Sequence, residues 1–462
     1  MQPLLQFLQP RIAVAESATE HRPLAVAGLF AGIGGIESGL HAAGHSSRFL
    51  CEIDPAARAV LSHHFPDTPI HDDVSTLAGL PENVDMLAAG FPCQDLSISG
   101  RRKGIGGSKS SLVSHVFRLF DSAKDRLRWL LLENVPFMLK LDGGRAMRYI
   151  IDEIESRGMR WAYRVVDTRS FGVPHRRHRV IFLASASGTP WNVLLSRDAK
   201  HEPLIAEPLA RLFGFYWTEG NRGIGWSPET IPPLKVGSDL GIASSPAVWD
   251  CIDGEIRKLD IRDAERLQGF PADWTIAAEN VAKSAIRWKL VGNAVSVPLG
   301  AWVGRSLLDP QPYDMRSDCE LRPSEEWPNA AYGADGTAYR SLVSPWPEAI
   351  PLTPLRDFLQ FAGKALSPRA ASGLLYRIQK GTTNITGDFE RSLRMLARGE
   401  DVRRKRLELQ CIERRIAQMT KKAQSSPLFA EAADLNETIA GLRRDAEQLK
   451  TELEELENAT AL

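Results

Sequence analysis

Five short apolar runs, separated by longer amphipathic stretches, constrain the fold of this chain more than any other feature. Runs of this length are typical of buried strands, and the stretches between them are long enough to form helices. The alternation therefore predicts an open α/β sheet. The runs lie at 24–29, 49–53, 85–89, 129–132 and 180–184.

Composition excludes several classes of protein. A chain of 462 residues predicts two to three domains, and no apolar run approaches the ~18 residues of a membrane-spanning helix. The five cysteines form no Cys-x-x-Cys pair, so we expect neither a disulfide framework nor a zinc site or other metal site. The first 23 residues lack the pattern of a signal peptide. We expect an intracellular, cytoplasmic protein with reduced thiols.

The charges cancel overall but are segregated along the chain. Lys plus Arg and Asp plus Glu each total 57, so the net charge does not indicate a polyanionic partner. Residues 101–128 nevertheless contain eight Lys or Arg, and 157–179 contain seven Arg. Residues 49–85 contain seven acids and one Arg. The basic segments predict an anionic substrate, and the acidic segment favours a ligand with a cationic centre.

A glycine-rich loop, Phe30-Ala-Gly-Ile-Gly-Gly35, follows the first apolar run and precedes a helix. This arrangement lets a nucleotide approach the backbone closely, although a tight turn with glycines at positive φ explains the loop equally well. Glu52 follows the loop by about 20 residues, where an acid binds ribose hydroxyls. Together these features predict a ligand that contains adenosine.

Four further residues are candidates for chemistry. Cys93 ends an apolar run in Ala89-Gly-Phe-Pro-Cys-Gln94. A single cysteine is more often a packing residue than a nucleophile, but ligands bind at the ends of strands in open α/β sheets. Glu133 ends another run, either as a helix cap or as a carboxylate in the same pocket. In an extended segment, the side chains of Arg177 and Arg179 point to the same face. Basic surroundings of this kind favour a cysteine thiolate.

This ordered set of residues resembles the cytosine-C5 DNA methyltransferase family from Leu24 to Leu307. Each motif alone is common, whereas the whole series in this order is specific. The segment 185–258 then corresponds to the variable target-recognition region of the family. The series is FAGIGG at 30–35, Glu52, Asp73-Val74, GFPCQ at 90–94, ENV at 133–135, Arg177 to Arg179, RLQGFP at 266–271 and GNAVSVP at 292–298.

The resemblance implies a Rossmann-like methyltransferase that uses S-adenosylmethionine. Cys93 would attack C6 of a cytosine flipped out of double-stranded DNA, and Glu133 would hold N3 and the exocyclic amine. Arg177 and Arg179 would steady the base and a mobile loop. The residues implied to enclose the cofactor are Phe30, Ala31, Gly32, Gly34, Gly35, Glu52, Ile53, Asp73, Val74, Pro92, Asn293 and Val295.

The biological setting implied by the resemblance is restriction-modification or phage defence, in a prokaryotic cell or encoded by a phage. Two alternatives remain open. One is an RNA cytosine-C5 methyltransferase, which is disfavoured because the Cys-Phe-Thr signature of the tRNA-methylating branch does not occur in this chain. The other is a non-catalytic DNA-binding relative that acts through its C-terminal tail.

The C-terminal tail lies outside the resemblance and is predicted to be helical. Apolar residues recur at heptad spacing in two segments, of which 403–422 is basic and 428–457 is acidic. Opposite charges on two joined segments favour an antiparallel coiled-coil hairpin, with self-association or a protein partner as the competing use. The predicted division is an N-terminal arm at 1–23, a catalytic domain at 24–184 plus 259–308, a target-recognition domain at 185–258, a linker or docking strap at 309–354, a helical unit at 355–400 and a coiled-coil hairpin at 401–458.

Overall fold

The structure is a computed structural model that describes residues 22–91, 112–205, 210–236, 245–322, 325–425 and 429–458. Most of the predicted N-terminal arm, together with Pro92 and Cys93, lies outside these residues. The chain divides into two compact units. The first takes its residues from Met1–Ala210, Ser227–Gly237 and Leu259–Ala362, and the second from Arg211–Trp226, Ser238–Lys258 and Gly363–Leu462.

The strands and helices of the described residues are numbered here in chain order. The strands are β1 (Ala25–Leu29), β2 (Ser46–Cys51), β3 (Ile70–His71), β4 (Met86–Gly90), β5 (Trp129–Asn134), β6 (Arg160–Asp167), β7 (His178–Ser185), β8 (Leu212–Phe215), β9 (Ser227–Pro228), β10 (Ala247–Asp250), β11 (Ile256–Lys258), β12 (Cys319–Glu320), β13 (Ala330–Ala334), β14 (Thr337–Arg340) and β15 (Lys364–Ala365). The helices are α1 (Gly35–Ala42), α2 (Pro55–His64), α3 (Leu112–Asp121), α4 (Arg145–Glu155), α5 (Pro190–Leu194), α6 (Ile261–Leu267), α7 (Ile286–Asn293), α8 (Val297–Leu308), α9 (Leu355–Phe358), α10 (Pro368–Lys380), α11 (Gly387–Ser425) and α12 (Phe429–Asn458).

The first unit is built on one mixed sheet, which confirms the predicted α/β class. Its strands lie in the order β12-β14-β13-β6-β7-β5-β4-β1-β2-β3. The strands from β5 to β3 run parallel to one another, whereas β7, β6 and the strands beyond them pair antiparallel. All five predicted apolar runs coincide with strands of this sheet.

Helices cover both faces of the sheet, because successive apolar side chains along each strand point to opposite faces and both faces must be buried. On β1, Ala27 and Leu29 belong to one core, which includes Phe117 of α3 and Ile150 of α4. Val26 belongs to the core on the opposite face, with side chains from α1 and α8 such as Leu40 and Trp302. A strand with both faces buried reads as a continuous apolar run, which is the pattern found in the sequence.

Residues 309–354 differ from the predicted linker or docking strap. They contain β12, β13 and β14, and β13 extends the main sheet by pairing with β6, where Ala331 lies opposite Tyr163. Every residue of β13 is buried. The small side chains of its sequence, Ala-Ala-Tyr-Gly-Ala, carry little hydrophobic signal, so the sequence alone did not indicate a strand.

The second unit joins two segments that were predicted to belong to separate domains. Strand β15 pairs with β11, which continues through β10 to β8 in an antiparallel sheet. Phe215 and Trp249 of this sheet share a core with Leu374 of α10 and Phe389 of α11. The division between 185–258 and 355–400 therefore differs from the structure, because neither segment encloses this core alone. In the described part of the chain, no helix is both long enough and apolar enough to cross a membrane.

Candidate active site

Several predicted site residues, such as Phe30, Glu52 and Glu133, lie at the carboxyl ends of the parallel strands of the first unit. Gly90, at the end of β4, lies opposite Glu133 in the register with β5. A Cβ atom placed on Gly90 would lie 3.5 Å from Oε2 of Glu133 and 3.6 Å from Cγ2 of Val295. The predicted catalytic carboxylate and one predicted cofactor residue therefore meet beside the strand that leads to Cys93.

Glu133 and Arg179 form a buried ion pair. Nε of Arg179 lies 2.8 Å from Oε1 of Glu133, and both side chains are largely shielded from solvent. Burial raises the pKa of the Glu133 carboxyl, while the positive charges of Arg179 and Arg177 oppose this rise. Burial also lowers the pKa of Arg179. The pair brings together two predicted catalytic residues. Burial outweighs the two arginine charges, so the neutral form of Glu133 is favoured more than it would be in water.

Asn134 belongs to the candidate site, although the sequence patterns predicted no separate role for it. Its Nδ2 donates a hydrogen bond of 3.0 Å to the carbonyl of Phe91, and its Oδ1 accepts one of 2.9 Å from the Val135 N–H. Phe91 is the last described residue before Cys93. Asn134 thus anchors the backbone of Phe91, two residues before Cys93 in the sequence. Its place in the Glu-Asn-Val motif was the signal that pointed to it.

The glycine-rich loop adopts backbone conformations that explain its composition. Phe30, Gly32 and Gly34 have φ angles of 54°, 56° and 85°, a region that glycine occupies readily and that strains Phe30. A Cβ atom on Gly35 would lie 2.1 Å from the Val295 carbonyl oxygen. The loop therefore approaches the 292–298 turn too closely to accept a larger residue, and two parts of the predicted cofactor site are adjacent.

Glu52 links the glycine-rich loop to the end of β2. Its Oε2 accepts a hydrogen bond of 2.8 Å from the Gly32 N–H, and its Oε1 accepts one of 2.8 Å from the Asp54 N–H. A carboxylate has about four acceptor positions, so further positions remain for two hydroxyl groups. Ile53 follows with 69% of its surface exposed. An acceptor pair beside an exposed apolar side chain fits a ribose with its attached base.

The other predicted cofactor residues have varied surroundings. Asp73 accepts hydrogen bonds from the Ser75 hydroxyl and N–H at 2.7 and 2.8 Å, and these bonds lower its pKa. Val74 is buried beside it. Asn293, the last residue of α7, is exposed. Ala31 is anchored to the end of β2 by its N–H, which donates to the Cys51 carbonyl at 3.1 Å.

Arg177 differs from Arg179 in what it contacts. Its buried guanidinium donates from Nη2 to the carbonyls of Ala294 at 2.7 Å and Gly292 at 3.2 Å, and from Nη1 to Leu234 at 3.4 Å. Gln268 supports the same turn, with its Nε2 donating to the Val291 carbonyl at 2.8 Å. Arg177 therefore holds the turn that carries Asn293 and Val295. The sequence predicted no separate role for Gln268, which stands within the RLQGFP motif.

Substitution of Arg177 by Met is expected to weaken binding of S-adenosylmethionine, the cofactor that the family resemblance implies, about tenfold or more, because hydrogen bonds to a charged donor contribute roughly 1.5–3 kcal/mol. Calorimetric titration with the cofactor measures this change. Arg316→Met is a suitable control, because Arg316 is exposed and pairs with Asp314 at the surface. Unchanged cofactor affinity together with lost turnover would instead assign Arg177 directly to the chemistry.

Comparison with known proteins gives the family. The family profile described as C-5 cytosine-specific DNA methylase matches residues 24–213 and 214–309. The type II methyltransferase M2.BsuMI of Bacillus subtilis (strain 168) is 45% identical over 378 residues, which cover 80% of this chain and 97% of that protein.

Two further matches are more distant. The type II methyltransferase M.NgoBI of Neisseria gonorrhoeae is 29% identical over 300 residues, covering 59% of this chain and 89% of that protein. Among solved structures, the Dnmt2 methyltransferase of S. pombe matches with a TM-score of 0.46 and 17% identity, over 62% of this chain and 98% of that chain. From the family profile and the B. subtilis relative, the chain belongs to the C-5 cytosine-specific DNA methylase family and is a DNA cytosine-5-methyltransferase.

Proposed function

We propose that this enzyme methylates a cytosine flipped out of double-stranded DNA, through a covalent adduct with Cys93 and with S-adenosylmethionine as the methyl donor. The observation that carries the proposal is the buried Glu133–Arg179 pair, which lies in register with Gly90. Cys93 follows Gly90 by three residues. A carboxyl with a raised pKa, beside the strand that precedes the proposed nucleophile in the sequence, suits proton donation to the ring of a base.

The proposed reaction follows from the poor nucleophilicity of cytosine C5. Addition of the Cys93 thiolate to C6 forms an S–C6 bond and moves the ring electrons toward C5. Glu133 hydrogen-bonds N3 and the exocyclic amine and stabilises the negative charge that develops on the ring. The cofactor, when bound, supplies an electrophilic methyl group on a sulfonium centre. Once C5 carries this methyl group, loss of the C5 proton to solvent restores the C5–C6 double bond, and the S–C6 bond breaks to release the Cys93 thiolate.

The proposed cofactor site comprises the glycine-rich loop, Glu52 with Ile53, and the 292–298 turn. Glu52 would accept hydrogen bonds from the ribose hydroxyls, and Ile53 would pack against adenine, because this apolar side chain is otherwise exposed. Asp73 and Val74 are proposed to contact the adenine end, and Pro92 the methionine end. The acidic character of 49–85 suits the cationic sulfonium of the cofactor.

The proposal is tested with duplex DNA that contains 5-fluorocytosine. Fluorine takes the place of the C5 proton, so the elimination that releases Cys93 cannot occur and the adduct is trapped. We expect a covalent protein–DNA complex that requires S-adenosylmethionine and is absent in Cys93→Ala. A complex that persists in Cys93→Ala would show that Cys93 is not the nucleophile. Methyl transfer to tRNA with none to duplex DNA would favour the RNA alternative.

We also propose that α11 and α12 form an antiparallel coiled-coil hairpin, which serves self-association or a protein partner. The support is an ion pair between Lys405 and Glu452 and another between Arg406 and Glu457 at 2.6 Å. Ile439 and Ala446 of α12 are buried. The relatives are named type II methyltransferases, a designation that belongs to restriction-modification.

Deletion of residues 401–462 is expected to lower the measured oligomeric mass or to abolish co-purification of a partner, with little change in methyl transfer per molecule. The deletion spares Phe389, Leu393 and Ala397, which belong to the core of the second unit. Light scattering and a methyl-transfer assay measure the two effects. An unchanged mass with no partner lost would contradict the proposal.

A further inference from the structure

A closed loop follows strand β8 in the second unit and presents two polar side chains. We call residues 216–225 the β8 loop. The Tyr216 N–H donates to the Ile224 carbonyl at 2.7 Å and closes the loop at its base. Between these residues, Asn221 and Arg222 are exposed. Among the residues that the structure describes, the Arg222 guanidinium has no ion pair or hydrogen bond, so it is free to bind a partner.

The backbone of the β8 loop is held by residues of the C-terminal tail. Arg377 of α10 donates from Nη2 to the Trp217 carbonyl at 2.8 Å and from Nε to the Glu219 carbonyl at 3.0 Å. Beyond α10, the Thr383 hydroxyl donates to the Gly220 carbonyl at 2.5 Å, and the Thr382 N–H donates to the Asn221 carbonyl at 3.0 Å. Each anchor binds a backbone carbonyl, so the side chains at the tip of the loop stay available.

The fit between the loop and the end of α10 is also steric. A Cβ atom on Gly381 would lie 2.3 Å from the Asn221 carbonyl oxygen, and one on Gly220 would lie 2.9 Å from Cβ of Arg377. Gly220 also has a φ of 144°, a conformation that other residues rarely adopt. Both sides of the contact therefore require glycine, which indicates that the tail and the loop are fitted to each other.

We propose that Asn221 and Arg222 read base edges of the DNA target, and that Arg377 is the positioning residue that holds their loop. The inference rests on the proposed function and deepens it. Arg forms paired hydrogen bonds with guanine, and Asn forms them with adenine, in the major groove. Direct readout needs free side chains on a fixed backbone. The β8 loop offers both, and the fixed backbone depends on a helix beyond the region that the family resemblance covers.

The test determines the methylated sequence with each variant, by bisulfite sequencing of a randomised duplex library treated with the full-length enzyme. With Arg222→Ala, we expect preference at one base position to fall about tenfold to hundredfold, the range for loss of one paired base contact. With Arg377→Gln, we expect relaxed preference at the same position. Arg377→Lys should restore part of it, because Lys keeps the charge but lacks the two-pronged donor geometry.

The control is Arg391→Ala, which removes an exposed arginine of α11 that pairs with Asp388. We expect this variant to keep the wild-type preference. An unchanged preference in Arg222→Ala would overturn the assignment of the loop. An equal loss at all sites in Arg377→Gln would reduce Arg377 to a purely structural role. Covalent trapping on 5-fluorocytosine DNA separates these outcomes from failure of the proposed function, because it reports the reaction independently of site choice.

Discussion

Replacement of Glu133 by Gln is expected to lower kcat by about 10²- to 10⁴-fold, the contribution typical of a positioned proton donor. Gln has nearly the same shape and can still hydrogen-bond a base, but it cannot transfer a proton to N3. Cofactor affinity should change little. Single-turnover methyl transfer measures the rate, and Glu82→Gln, at an exposed position, is the matched control.

The rate of methyl transfer is expected to fall as pH rises. Because burial raises the pKa of Glu133, its neutral form persists to higher pH than that of an exposed carboxyl, and the rate should fall as pH rises through that pKa. Arg179→Met removes the main positive charge that opposes the shift, so the descending limb should move to higher pH. A descending limb that stays in place would contradict a proton-donor role for Glu133.

Replacement of Glu37 by Gln is expected to remove about 3 kcal/mol of pH-dependent destabilisation, as each pKa unit corresponds to about 1.4 kcal/mol. Glu37 lies in the first turn of α1 and is buried. Among the described residues, its Oε2 has no hydrogen-bond partner. Burial raises the pKa of its carboxyl from 4.5 to about 7, and the charge of Glu52 adds to the shift.

The sign follows from proton binding. Between the unfolded pKa of 4.5 and the folded pKa of about 7, the folded chain holds a proton that the unfolded chain has lost. The contribution of Glu37 to stability is therefore fully present below pH 4.5 and is lost as pH rises through about 7. Urea unfolding at pH 5 and pH 8 should show a smaller decrease for Glu37→Gln than for wild type or for Glu82→Gln. Equal decreases would show that Glu37 does not titrate in this range.

The sequence predicted the parts of the fold that rest on local pattern. Strands buried on both faces leave apolar runs, so β1, β2, β4, β5 and β7 were found with small shifts in their bounds. Strand β13 was missed because Ala and Gly carry little hydrophobic signal. The shared core of β10 and α11 was missed because Trp249 and Phe389, with ring centroids 5.4 Å apart, are distant in sequence and no local pattern pairs them.

The same limit applies to the candidate site. Glu133 and Arg179 were selected by position and prove to be paired. Arg177 is also an arginine and lies two residues before Arg179, yet it binds the carbonyls of Gly292 and Ala294. Its partners are set by how the chain folds back, which the spacing of two arginines does not encode. The residue-level role of Arg177 in the reaction stays a prediction.

Helix α11 would set the direction of the proposed α11–α12 hairpin by rotation as well as by length. It runs unbroken for 39 residues, about 58 Å at 1.5 Å per residue. Phe389 near its start belongs to the core of the second unit, whereas Arg406 pairs with α12. One residue inserted between 398 and 402 would turn everything beyond it by about 100° around the helix axis. An insertion of seven residues would nearly restore the original orientation. Changes in the length of this helix would therefore rotate the binding surface of the proposed hairpin about the helix axis.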